Sequence, residues 1–158
     1  MKKNTFKSIL FVYSTLFSLF LTAQDIYRIK NLATGKFLTD AGVSEQPVTL
    51  SDTGDAPNTH WTFIENGALI NIDSQVNGLL HAPDGSAPTG AYLILSTDST
   101  TSSNDNIWTV EFNSANNTYR FISNLNRYLY HDTNDTVTHV QTPGILDRSY
   151  WELILFVP

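Results

Sequence analysis

The sequence has no cysteine, one methionine and no long helical pattern, and it is short of positive charge, with nine Lys and Arg against fifteen Asp and Glu. Without cysteine there is no disulfide and no thiolate metal site, so the fold rests on packing alone. No segment after residue 24 places apolar residues at i, i+3, i+4 and i+7 over three turns, which excludes a helical architecture. Three of the nine basic residues (Lys2, Lys3 and Lys7) lie at the extreme N-terminus, leaving six against fifteen acids over the rest of the chain, a formal charge of −9. A chain this acidic has no electrostatic route to nucleic acid or to an anionic membrane surface.

One long apolar run is present, and it lies in the first 23 residues. MKKNTFK is basic, ILFVYSTLFSLFL is apolar, and small residues follow, which is the three-part layout of a secretory signal peptide. A transmembrane helix is the alternative, but the run from Ile9 to Leu21 is 13 residues long, short of the roughly 20 that span a bilayer. Residues 1–23 are therefore expected to be a cleaved signal peptide, and 24–158 a single exported domain, extracellular or periplasmic, with no membrane span. About 135 residues suffice for one domain with a sizeable core.

Short runs rich in β-formers fill the remainder, divided by Gly, Pro, Asn, Asp and Ser. They fall into three sets, at about 26–64, 68–112 and 118–156. Each opens on an alternating strand (IYRIKN, ALINID, TYRFIS) and closes on one containing Trp (HWTFI, IWTVEF, YWELILF). Trp61, Trp108 and Trp151 are 47 and 43 residues apart; Leu38, Leu80 and Leu129 are 42 and 49 apart. Internal repetition of this kind decides a fold. Four-stranded units with a Trp also build propellers, but three blades are too few to close a ring. The reading is all-β: a β-trefoil of about twelve strands in three four-strand repeats. Each unit has one apolar face and nowhere to bury it alone; three around an axis share one core. The Trp residues are expected in that core, and the competing role is as platforms for a sugar ring.

At YRIKNLATGKFL, and at the closing Trp of each unit, the chain resembles the ricin-type β-trefoil lectin family. That resemblance covers about residues 26–156 and implies carbohydrate binding. The family's Gln two residues before Trp is Thr59, Asn106 and Ser149 here, and the sugar-gripping Asp after the second-strand Leu is Thr39, His81 and Tyr130. The usual galactose-type site is thus intact in no unit.

A sugar site needs an aromatic face with hydrogen-bonding groups fixed opposite the hydroxyls. The second unit has the longest connection, 27 residues from His81 to Trp108 against 22 and 21 for its counterparts, and offers His81, Asp84, Tyr92, Asp105 and Asn106. The third offers His131, Asp132 and His139; the first offers Asp40 and Asn58. The alternative in each case is a solvated loop with turn-forming Asp and Asn. The polar stretch STDSTTSSNDN at 96–106 reads as a connecting loop beside the second-unit candidates. His131 and His139, eight residues apart on consecutive strands, could approach across a hairpin, but the four His form no metal-binding spacing. No nucleophile elbow, metalloprotease helix motif or phosphate loop is present.

The expectation is a secreted, non-catalytic, lectin-like protein whose partner is a carbohydrate or polysaccharide, with no cofactor. A protein-binding trefoil, such as a protease inhibitor presenting loop 52–59 or 83–90, is the second reading. A structural extracellular protein with lapsed sugar sites is the third.

Overall fold

The computed structural model describes residues 24–82, 93–96 and 105–158. The first unit contains β1 (Ile26–Asn31), β2 (Phe37–Thr39), β3 (Thr49–Ser51) and β4 (His60–Asn66). The second contains β5 (Leu69–Ser74), β6 (Gly78–His81), β7 (Ile94–Ser96) and β8 (Trp108–Asn113). The third contains β9 (Thr118–Ser123), β10 (Tyr128–His131), β11 (Val137–Val140) and β12 (Trp151–Leu155). Single turns of 3₁₀ helix precede β4 and β12, at Pro57–Thr59 and Leu146–Ser149.

The first and last strands of each unit form a closed ring. β1 pairs with β4, β4 with β5, β5 with β8, β8 with β9, β9 with β12, and β12 returns to β1, all antiparallel. Closure leaves no barrel edge unpaired. Glycine and asparagine make the tight turns between units. Gly67 (φ 67°) follows β4 and Asn117 (φ 54°) precedes β9, in a left-handed region that most side chains avoid.

The middle strands form three hairpins, β2–β3, β6–β7 and β10–β11. A ring of backbone hydrogen bonds ties them together: Val48 N–H donates to Leu93 O (2.9 Å), Leu93 N–H to Val137 O (3.3 Å) and Val137 N–H to Val48 O (3.4 Å). These three residues are the same position in the three units. The hairpins thus cap the barrel, and the molecule is a β-trefoil.

The core is layered by the repeat. Val48, Leu93 and Val137 form one set, Leu38, Leu80 and Leu129 the next, then Trp61, Trp108 and Trp151, then Ile29, Ile72 and Phe121; every one is 0% exposed. Each indole also donates to the carbonyl of the Leu in its own unit: Trp61 to Leu38 (3.0 Å), Trp108 to Leu80 (3.1 Å) and Trp151 to Leu129 (3.2 Å). A buried indole N–H needs such a partner. The Trp residues are therefore core, closed to any sugar, and the backbone bond explains why no other aromatic replaces them.

Candidate functional site

With the core sealed, the candidate groups read from the sequence lie in or beside the connections between the second strand of each unit and its closing strand. In the first unit, Asp40 directly follows β2. Its carboxylate is fully buried and occupied. Oδ1 accepts from Gly42 N–H (2.6 Å) and Asn77 Nδ2 (2.8 Å); Oδ2 accepts from Ser74 Oγ (2.5 Å) and Asn77 Nδ2 (3.0 Å). Asn58 is locked to the same residue: its Nδ2 donates to Asp40 O (3.0 Å), and Asp40 N–H donates to Asn58 O (2.8 Å). Asp40 and Asn58 come together as expected, but as a clamp joining the first unit to the β5–β6 turn of the second. Ser74 and Asn77 complete the clamp; no sequence signal short of the folded register links them to Asp40.

The second unit keeps the backbone half of this arrangement. Ala82 N–H donates to Asp105 O (2.8 Å), matching Asp40 to Asn58. The side chains differ. His81, at the end of β6, is almost wholly buried and directs Nδ1 at Asp105 Oδ1 (3.0 Å). A carboxylate only accepts, so it holds the imidazole proton on Nδ1. Nε2 is buried with no hydrogen-bond partner, which ordinarily costs about 1–3 kcal/mol. Asn106 follows as a buried residue whose carbonyl accepts from Asn71 Nδ2 (2.8 Å). His81, Asp105 and Asn106 thus form one cluster at the base of the long connection. Asp84 and Tyr92, expected beside them, lie outside the described residues.

The third unit separates its candidates. His131 is opposite Val137 and His139 opposite Leu129, so the two imidazoles are diagonal across the hairpin. His139 Nε2 accepts from Arg127 Nη1 (3.0 Å). His131 is buried with neither ring nitrogen hydrogen-bonded; Asp135 Oδ1 lies 3.9 Å from its Nε2, beyond hydrogen-bond reach. Burial lowers the His131 pKa below its ordinary value; Arg148 and Lys36 add to this, and Asp135 and Asp132 oppose it. Lys36 bridges Asp135 (2.7 Å) and Asp52 (3.4 Å), and the hydrogen bond to Asp135 raises its pKa. Asp132 is half-buried, and its Oδ1 accepts from Thr133 N–H (2.7 Å). Among the described residues no three His, Asp or Glu side chains converge as a metal site, and no helix is long and apolar enough to cross a membrane.

Comparison with known proteins corrects the functional expectation. Residues 27–151 match the family described as the endo-acting ulvan lyase β-trefoil domain. An endo-acting ulvan lyase from Formosa agariphila is 44% identical over 133 residues, which is 82% of this chain but 26% of that protein. An ulvan lyase from Nonlabens ulvanivorans is 38% identical over 138 residues, 84% of this chain and 24% of that protein. The chain spans about a quarter of the length of these curated relatives. A ricin B-like lectin from Macrolepiota procera, solved with lactose, superposes with a TM-score of 0.68 at 19% identity, covering 84% of this chain and 96% of the lectin. Its likeness is one of fold. The reading as a plain lectin-like protein, and with it the inhibitor and structural alternatives, is overturned by the matches to lyases: the relationship in sequence is to one domain of a polysaccharide-degrading enzyme. The chain belongs to the family of endo-acting ulvan lyase β-trefoil domains.

Proposed function

We propose that this chain is a polysaccharide-binding domain of the ulvan-lyase type, holding ulvan where a lyase acts on it. The observation that carries the reading is the 44% identity over 133 residues to one quarter of an endo-acting ulvan lyase. A stretch that matches so well over so small a share of an enzyme is a separable domain. In this reading it contributes substrate contact rather than a bond-breaking group. The basic-then-apolar leader at 1–23 would direct it out of the cell.

The second unit supplies the binding groups in this proposal. Support comes from its long connection and from the His81–Asp105 pair, which fixes a carboxylate at the base of that connection. Asp105, with Asp84 and Tyr92 from the connection itself, would meet the sugar, and the buried Asn106 would stand behind it. Asp132 is a secondary candidate; Asp40, Asn58, His131 and His139 serve the fold. The test is electrophoresis of the folded protein through gels with and without ulvan. Retardation by ulvan, weakened by Asp105→Ala, is the expected result. Unchanged mobility of the folded wild type in ulvan would overturn the proposal.

A further inference from the structure

A second polar surface lies away from all of these groups, on the seam between the second and third units. Glu111 on β8 and Arg120 on β9 are cross-strand partners and form an ion pair. Above them is an open cleft of about 270 Å³, lined by Glu111, Phe112, Asn113, Ser114, Arg120 and Tyr150. The Arg120 guanidinium carbon sits 4.8 Å from the centre of the Tyr128 ring and 5.4 Å from that of Tyr150. Two rings and one carboxylate thus fix a side chain that is usually mobile.

The threefold pattern shows what is special here. The position of Arg120 is Arg28 in the first unit and Asn71 in the second, each opposite a residue of the neighbouring strand: Ile154 for Arg28, Ile64 for Asn71 and Glu111 for Arg120. Two seams place Ile there and one places a carboxylate. The position before the closing Trp is likewise His60, Ile107 and Tyr150. The barrel core requires none of this, since these side chains lie on the face away from it. Arginine, carboxylate and Tyr coincide at one seam.

We infer that this cleft binds one pyranose ring of a polysaccharide through a vicinal pair of hydroxyls. A guanidinium offers donors only, and a carboxylate acceptors only. Side by side they complement two adjacent hydroxyls, one accepting from Arg120 and one donating to Glu111. The Tyr150 ring supplies an apolar wall for the C–H face of the sugar. The pair is neutral overall and Glu111 repels anions, so the hydroxyl edge of a sugar fits better than its charged groups. The volume is below the roughly 300–1,000 Å³ of sites for drug-sized ligands, which suits a single ring of a chain that continues outside the cleft. The groups are held before binding, so little ordering remains to oppose it.

This inference rests on the polysaccharide reading above, and its test separates the two. Dissociation constants for ulvan are measured by affinity electrophoresis for the wild type, Glu111→Gln, Tyr150→Ala and Ser114→Trp. Ser114 is on an exposed turn, so its replacement fills the cleft without touching the core. Glu111→Gln and Ser114→Trp are expected to retain the wild-type melting behaviour, and each variant to bind about tenfold more weakly: Glu111→Gln by weakening a hydrogen bond to a charged group, Tyr150→Ala by removing the apolar wall, and Ser114→Trp by filling the cleft. Wild-type affinity in Ser114→Trp and Glu111→Gln, beside a loss in Asp105→Ala, would overturn the cleft and leave the domain's function standing. A folded wild type that binds no ulvan would overturn both.

Discussion

Asp40 of the first unit and Asn77 of the second are joined by two hydrogen bonds, 2.8 and 3.0 Å long, to the two oxygens of one buried carboxylate. With Gly42 N–H and Ser74 Oγ also donating, that carboxylate is occupied by the protein's own groups. An acid that looks like a ligand in sequence has become a rivet between repeats.

Asp40→Ala is therefore expected to destabilise the protein by about 2–4 kcal/mol, since it removes charge-assisted bonds and leaves Ser74 and Asn77 unsatisfied. Its affinity for ulvan, measured well below its melting point, should match the wild type. Lost binding in a folded Asp40→Ala protein would return this residue to the ligand site.

The three indoles are expected to behave alike. Trp61→Phe, Trp108→Phe and Trp151→Phe each remove a hydrogen bond to a buried carbonyl and leave a gap in a layer that packs around the axis. Each should cost about 2–4 kcal/mol in urea unfolding. A cost below about 1 kcal/mol for any one would mean that its layer is not part of the shared core.

Acid should weaken the fold through His131. Its folded pKa is lowered by burial, so the unfolded chain takes up a proton first as pH falls. The contribution of this residue is complete above the ordinary imidazole value of about 6.5 and is eroded from there down through the lowered folded pKa. Asp73, whose pKa is raised by burial, acts the opposite way. It favours the fold as its carboxyl protonates, at the acid end of the range. Melting temperatures of the wild type and His131→Phe, taken from pH 7 to pH 5, should diverge: the wild type falls more steeply. Parallel curves would show that His131 does not resist protonation.

The fold was legible because threefold repetition repeats its core. Trp61, Trp108 and Trp151 mark the closing strands, and alternation in IYRIKN or TYRFIS marks the barrel face. Strand ends were harder. The run PVTLS gives a strand only at Thr49–Ser51, because Pro47 has no N–H to donate and joins Ile94 as a lone bridge. The candidate sites were legible only in part. His81 and Asp105 meet because the end of β6 is hydrogen-bonded to the residues just before β8, Ala82 N–H to Asp105 O. Asp40 turned inward because Ser74 and Asn77, 34 and 37 residues away, supply its donors. In sequence Glu111 stands only as an acid within a closing strand, on a position alternate to the core residues; it and Arg120 are symmetric about the turn SANN, and only the hairpin register makes them a pair. Tyr150 joins them from 30 residues further along. Chemistry written across strands is invisible until the register is known.

The most direct test of the whole account is a calorimetric titration of the folded protein with ulvan, run beside the double variant Asp105→Ala/Glu111→Gln. The account predicts measurable binding by the wild type and its near abolition in a double variant that melts normally. Undiminished binding by that variant would contradict the assignment of contacts to these two surfaces, and no binding by the wild type would contradict the function itself.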